Sequence, residues 1–450
     1  MSRHLIIAGA GPCGLYGAIT ALRAGWQVTV LEKEACVGGL AASRQRGGNN
    51  YDLGVHMLHE FDKEVFETCA EALGDARIEV PLDARIKWAG KLYHYPLRGR
   101  DILAGIPPLT LARCLTGLFV AELRSRVTTE QGETAEDALQ EMYGVPLYEY
   151  FFEGFTHRYW GRHPRELSAE FVRRKMPRLS AVDVVKNACQ KFGLGRQRDE
   201  VEGALRFETL HYSEQGSGGL QEALGEMVRR LGGKVILEAE VKQVNFSGNG
   251  FTSVETVKGS EIKGDAFLST MPLPLLAERC SEVPEKVLEA SQRLSFKPMV
   301  VLGLLVKRSK CMDALYTYYR DRMFHRVGEP KNAGVKVTPE DHTILIVEKT
   351  CEVGDKAWVG SPEFIDAVKE DLAAEGLCET KEVLEVNVLT ERYAYPVFSL
   401  GFEEDLGVVQ EFLSHFRNVV STGRQGAFTY PNMHSAMRMG ADAVTRLSSI

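Results

Sequence analysis

"HLIIAGAGPCGLYGAITALRAGWQVTVLE", residues 4–32, decides the fold. The run Leu5–Ala8 is short and apolar, which suits a strand buried on both faces of a parallel sheet. Gly9, Gly11 and Gly14 follow it as G-x-G-x-x-G. A helix is expected over Leu15–Ala24, stopped by Gly25, and then a second strand over Val28–Leu31 that ends in Glu32. Each position has a physical reason. Gly9 permits a tight turn, Gly11 lets backbone approach a pyrophosphate, and Gly14 lets helix and strand pack closely. The free N–H groups and partial positive charge of the helix N-terminus favour phosphate. Glu32 is placed to accept hydrogen bonds from an adenosine ribose. Cys13, inside the loop, reads as a small filler rather than a redox group.

The next segment, "EKEACVGGLAASRQRGGNNYDLG" (residues 32–54), resembles the continuation found in FAD proteins of the amine oxidase and protoporphyrinogen oxidase type. In those proteins the acid is followed by a glycine pair, a small residue, Ser or Thr, and D-x-G. Glu32, Gly38, Gly39, Ser43, Asp52 and Gly54 fill those places. The resemblance implies one non-dissociating FAD per chain.

A histidine pair comes next, His56 and His59. H-x-x-H can be a metal site, a catalytic base, or two ordinary buried imidazoles. A metal site needs more ligands than two, and no acid or cysteine cluster accompanies the pair, so none is expected. "DLGVHMLHEFDKEVFETCAEAL" (52–73) and "RIKWAGKLYHYPLRGRDIL" (85–103) resemble the UDP-galactopyranose mutase branch of this superfamily. That branch carries G-x-H-x-x-H, an amphipathic helix, a short strand pair, and an aromatic-aromatic-Pro motif. It usually has G-G-H or G-P-H where this chain has Gly54–Val55–His56. The likeness implies that His56 lies against the flavin, and His59 reads as an anchor of the loop.

The resemblance recurs along the chain. "YSEQGSGGLQEAL" (212–224) and "FLSTMPLPLL" (267–276) match the second cofactor-binding segment, and "EVKQV" (240–244) matches the strand beside the adenine, through the backbone of Val241. "FHRVGEPKN" (324–332) is similar to a segment bearing a diphosphate-binding arginine, here Arg326. "YAYP" (393–396) places Tyr395 as a phosphate-binding tyrosine. "GRQGAFTYPNMHSAM" (423–437) resembles the family's closing signature, with Gly423 and Arg424 near flavin and substrate, Tyr430 at a phosphate, and Asn432 and Met433 before a helix over the flavin. Within "YEYFFEGFTHRYWGR" (148–162), Tyr159 and Trp160 are candidates for a uracil or sugar pocket, or for the core of a cap domain. Arg174, Pro177 and Arg178 fall where the family places a mobile lid. Taken together, the resemblance implies a cofactor set of Gly9, Gly11, Pro12, Cys13, Gly14, Glu32, Lys33, Gly38, Gly39, Leu40, Ser43, Gly54, His56, Val241, Gly423, Arg424, Asn432 and Met433. It implies His56, Arg326 and Arg424 as catalytic residues and Tyr395, Tyr430, Asn432, Tyr159 and Trp160 as substrate residues. Arginine forks bind planar oxygen arrays bidentately and tyrosine hydroxyls add neutral donors, so this set suits a nucleotide diphosphate if the fold assembles it.

The expected fold is α/β. A Rossmann-type FAD domain, residues 1–75, 205–290 and 390–450, is interleaved with a mainly helical cap, 76–204, and a mixed-sheet substrate domain, 291–389. Net charge is −7 with no basic run, which excludes an electrostatic footprint for nucleic acid. Nine cysteines without a C-x-x-C pair argue for free thiols in a reducing compartment. The chain opens on a strand with no apolar leader, and the stretch 102–120 is broken by Pro107, Pro108 and Arg113, so no span is expected and the cytoplasm is.

Two functional readings remain open. One is a mutase-like enzyme on a nucleotide-linked sugar, in which pyranose and furanose interchange through the reduced flavin N5 with no net redox change. The other is a true oxidoreductase of the amine oxidase or protoporphyrinogen oxidase type. A reductant such as NAD(P)H is an expected partner of the first.

Overall fold

The computed structural model describes residues 2–95, 101, 105–127, 131–175 and 209–450. Five parallel strands form its first sheet, in the order Val419–Ser421, Ala266–Ser269, His4–Ala8, Gln27–Leu31, Lys234–Ile236. The strands arrive from three distant parts of the chain. Leu5, Ile6, Ile7, Ala266, Phe267 and Leu268 are fully buried, because helices cover one face of the sheet and a second apolar cluster covers the other.

The helix after the first strand is Pro12–Arg23, so it starts earlier than the expected Leu15. Pro12 explains the difference. Its fixed φ suits the first turn, and its missing N–H is one the helix would leave unpaired anyway. The last helix, Met433–Ser448, crosses this one at close range. A Cβ on Gly440 would stand 2.2 Å from the Cys13 carbonyl oxygen and 3.1 Å from the Gly17 nitrogen. Ile19, Met437 and Val444 fill the rest of the contact.

A second sheet of seven strands runs in the order Val383–Pro396, Phe296–Val306, Thr343–Thr350, Arg326–Gly328, Tyr316–Tyr319, Ala84–Trp88, Lys91–Tyr95. Its pairs are antiparallel except Tyr316–Tyr319 with Ala84–Trp88. The apolar run "PMVVLGLLV" belongs to an interior strand, second from one edge, buried against separate clusters on its two faces.

Residues expected to be mainly helical supply three strands, Arg77–Pro81, Ala84–Trp88 and Lys91–Tyr95. The last two make a hairpin through Ala89 and Gly90, both at positive φ (51° and 73°), which matches the twist of the flanking strands. The helical part of the segment is present as well: Pro108–Val127, Ala135–Tyr143 and Glu153–Trp160, with one π-helical turn at Tyr148–Phe152. Thr134 begins Ala135–Tyr143 with a reciprocal cap to Asp137. These helices pack on one face of the seven-stranded sheet. Among the described residues no helix is long and apolar enough to cross a membrane.

The helix crossing gives a direct stability test. Gly440→Ala should cost about 1–3 kcal/mol through overpacking and lower the Tm in calorimetry. Gly407→Ala, on the exposed helix Phe402–Ser414 with open space around it, should raise stability by roughly 0.5–1 kcal/mol through helix propensity alone.

Candidate active site

A cavity with about 1200 Å³ of empty space, counting its open mouth, lies at the carboxyl ends of the parallel strands, where ligands bind in open α/β sheets. The first turn forms part of its wall. Glu32 is buried there, and its carboxylate accepts from the backbone N–H of Ala10 at 2.7 Å and of Glu34 at 3.0 Å. Burial pushes its pKa up. The glycines of the turn divide into two kinds. A Cβ on Gly14 would sit 2.0 Å from the Gly9 carbonyl oxygen, whereas one on Gly11 would meet nothing nearer than 3.9 Å. Gly14 therefore holds the turn together, and Gly11 leaves room at the cavity wall.

Of the cofactor residues expected from sequence, Gly9, Gly11, Pro12, Cys13, Glu32, Lys33, Gly39, Leu40, His56, Val241, Gly423, Arg424, Asn432 and Met433 line the cavity. Gly14, Gly38, Ser43 and Gly54 do not. Ser43 faces inward instead. Its hydroxyl donates to the Asp52 carboxylate and accepts from the Gly218 N–H at 2.8 Å. Asp52 also accepts from the Tyr212 hydroxyl and, at 3.2 Å, from the Ser217 N–H. Burial pushes the Asp52 pKa up to about 6. The D-x-G segment is thus tied to the glycine turn at 216–218 by one buried carboxylate.

Sequence reasoning missed Thr270, Met271, Glu391, Tyr393 and Gln425, which also line the cavity. Thr270 and Met271 directly follow a parallel strand, so the rule on strand ends could have found them. Glu391 and Tyr393 belong to the other sheet; Tyr393 opens the quoted YAYP stretch, from which the resemblance singles out only Tyr395, and no local motif marks Glu391.

His56 sits between two arginines. Its Nδ1–H donates to the Gly54 carbonyl oxygen at 3.1 Å, leaving Nε2 as an acceptor. Burial, then Arg424, then Arg326 push its pKa down to about 3, so the imidazole is neutral. Arg424 donates to the Pro431 carbonyl oxygen at 3.0 Å and lies 4.6 Å from the Tyr430 ring centroid and 5.9 Å from that of Tyr395. Among the described residues no carboxylate pairs with it. Arg326 is different. Its Nε and Nη2 hold both oxygens of Glu348, at 2.8 and 2.7 Å. The two side chains are only 15% and 6% exposed, so this charge is already balanced.

The aromatic candidates close around these groups. Ring centroids are 5.3 Å apart for Tyr395 and Tyr430, 5.6 Å for Tyr159 and Tyr395, and 5.5 Å for Tyr159 and Trp160. Arg326, Arg424, Tyr395, Tyr430, Tyr159 and Trp160 therefore come together beside His56, although only Arg424 among them lines the cavity. The Tyr395 hydroxyl faces the Met299 sulfur at 3.7 Å. His59 stacks on Phe61 at 5.2 Å and meets His434 edge-on at 5.6 Å, within the loop it was expected to anchor. Among the described residues no group of three or more potential metal ligands gathers. Pro177, Arg178 and the Arg174 side chain lie outside the described residues.

A dinucleotide turn, an acid closing the second strand, and a cavity running to a neutral histidine between two cations define a dinucleotide-dependent enzyme. The sequence profile of the family described as flavin containing amine oxidoreductase matches residues 12–327, and the chain belongs to that family. It is a flavoenzyme with FAD as cofactor, and the open space beside Gly11 and the buried Glu32 carboxylate fit that group. Over 192 residues the chain is 24% identical to a probable UDP-galactopyranose mutase of Klebsiella pneumoniae, covering 40% of this chain and 47% of that one. Over 301 residues it is 23% identical to a 4,4'-diapophytoene desaturase of Methylomonas sp, covering 59% and 53%. The matched regions span about half the length of these curated relatives. Among solved structures, reduced UDP-galactopyranose mutase superposes with a TM-score of 0.82 at 19% identity, covering 100% of this chain and 96% of that one. A putative protoporphyrinogen oxidase from Exiguobacterium sp. 255-15 follows at 0.73 and 18%, covering 100% and 99%. At these identities the superpositions establish the fold.

Two measurements check the site. Gly11→Val should purify folded but colourless, whereas Gly14→Ala should lose both Tm and flavin; retained stoichiometric FAD in Gly11→Val counts against the turn as cofactor cradle. The His56 pKa in the folded protein lies below its ordinary 6.5, so the unfolded chain binds the extra proton. Stability should therefore fall as pH drops from 6.5 toward 3, and His56→Gln should flatten that acid limb in a series of Tm measurements.

Proposed function

We propose that the protein acts on a nucleotide-linked sugar, in a mutase-like interchange of pyranose and furanose forms. The observation that carries this reading is Arg424, a cation without a carboxylate partner among the described residues, seated under Tyr430 and Tyr395 beside the neutral His56 at the cavity wall. Bound and reduced, FAD supplies a nucleophilic N5 for such a reaction. The chain's residues do the rest. The N-terminus of Pro12–Arg23 and the open space at Gly11 receive the cofactor pyrophosphate, Glu32 takes the ribose, and the Val241 backbone flanks the adenine. Arg424 and Tyr430 hold a substrate phosphate and stabilise charge as it leaves. His56, kept neutral, presents Nε2 as an acceptor without adding a third positive charge. Tyr159 and Trp160 back the Tyr395 ring from behind. NAD(P)H is the proposed source of electrons. The free cysteines among the described residues support a reducing, cytoplasmic setting.

One observation favours the second reading, an oxidoreductase of the amine oxidase type. Arg326, the other expected diphosphate ligand, is neutralised by Glu348, which leaves one unpaired arginine where a diphosphate would use two.

Titration of UDP, dTDP and GDP into the oxidised and the dithionite-reduced holoprotein, read by flavin absorbance and fluorescence, tests the reading. One nucleotide should bind saturably. Arg424→Ala should weaken it by about tenfold or more, the worth of one charged hydrogen-bonded contact. Absence of binding in both redox states favours the oxidoreductase.

A further inference from the structure

Arg320 follows the strand Tyr316–Tyr319, two residues beyond Tyr318, whose ring centroid is 5.6 Å from the Arg326 guanidinium. Two residues of extended chain span about 7 Å. At this remove from Arg326 the carboxyl ends of the parallel neighbours Tyr316–Tyr319 and Ala84–Trp88 meet the helical segment. The Arg320 guanidinium lies 4.4 Å from the Trp88 ring centroid, 5.6 Å from that of Phe151 and 5.7 Å from that of Phe155. Stacking uses the faces of the guanidinium and leaves its in-plane N–H groups free to donate. The Arg320 Nε is buried with no hydrogen-bond acceptor among the described residues. So is the Trp88 Nε1 beside it. Among the described residues no carboxylate pairs with Arg320, its neighbour Asp321 included. Burial lowers its pKa to about 10, which still leaves it charged at neutral pH.

Buried donors nearly always have acceptors. Here, among the described residues, two adjacent buried donor atoms, one on a half-buried cation, have none, and the side chains stacked around them are aromatic rings. The chain supplies positive charge, in-plane donors and flat apolar walls, and lacks only the acceptor. None of these residues lines the FAD cavity.

We propose that Arg320 and Trp88 form a second, oxyanion-binding subsite at this end of the sheet, which takes one phosphate or carboxylate group between the guanidinium edge and the indole N–H. This does not rest on the reading of the reaction. The oxyanion is either a free small ion or the far end of an extended ligand whose other end lies at Arg326.

The test uses the holoprotein, with inorganic phosphate and acetate as probes, read by tryptophan fluorescence and thermal shift. Saturable binding of phosphate or acetate is expected, and the preferred probe separates phosphate from carboxylate. The fluorescence change should vanish in Trp88→Phe, and affinity should fall at least tenfold in Arg320→Gln while Arg424→Gln leaves it intact. Arg320→Lys keeps the charge, so it serves should the glutamine variant not fold, and it too should lose at least tenfold because it lacks Nε–H. Competition between UDP and the bound oxyanion identifies the far end of an extended ligand; independent binding identifies a free ion. The proposal is overturned if wild type shows no saturable response, if Arg320→Gln and Arg320→Lys bind as wild type does, or if the response disappears with Arg424 instead.

Discussion

Backbone meets backbone at the turn Gly9–Gly14, and the rest of the molecule is arranged around that contact. Gly14 lies too close to the Gly9 carbonyl, and Gly440 too close to the Cys13 carbonyl, for any side chain to intervene. This closeness seats the last helix on the first and brings Gly423, Arg424, Asn432 and Met433 to the same cavity as residues from the first 60 positions. A chain whose ends must meet at one glycine turn has to send its middle outward, and that middle builds the second sheet and its helical cover. The buried Asp52 carboxylate performs a similar task nearby, joining the D-x-G segment to the turn before Ser217–Arg230.

Charge balance sets what the site can do. Two arginines flank His56, and the histidine responds by staying neutral. Arg326 is matched by Glu348, while Arg424 is matched by aromatic faces and a carbonyl. An anionic ligand at Arg424 gains a charge partner at little displacement cost; one at Arg326 must first compete with a bidentate carboxylate in a pocket where that pairing is strong. The two expected handles are therefore unequal.

Much of this was legible in the sequence because its signals are local. The glycine spacing, Glu32 and the closing signature specify turns and strand ends within a few residues, and fourteen of the matched positions meet in one cavity without any long-range information. What escaped depends on register and distance. The Arg326–Glu348 pair exists because Arg326 stands opposite Glu348 in an antiparallel ladder. The resemblance implies the strand pair at 84–95, but its place in the seven-stranded sheet is set by Tyr316–Tyr319, more than 200 residues away, which no window of sequence contains. Ser43 reads as a cofactor residue by motif, but one buried carboxylate nine residues on turns its hydroxyl inward. Arg320 and Trp88 carried no motif at all; only their stacking and their unpaired donors single them out.

The most direct test of the account is anaerobic turnover of UDP-linked hexopyranoses by oxidised and by dithionite-reduced holoprotein, with flavin absorbance followed throughout. The account predicts furanose product only after reduction, with no net change in the flavin spectrum over many turnovers. Equal turnover by the oxidised protein, or substrate-driven bleaching of the flavin with release of hydrogen peroxide on readmitting oxygen, would contradict it.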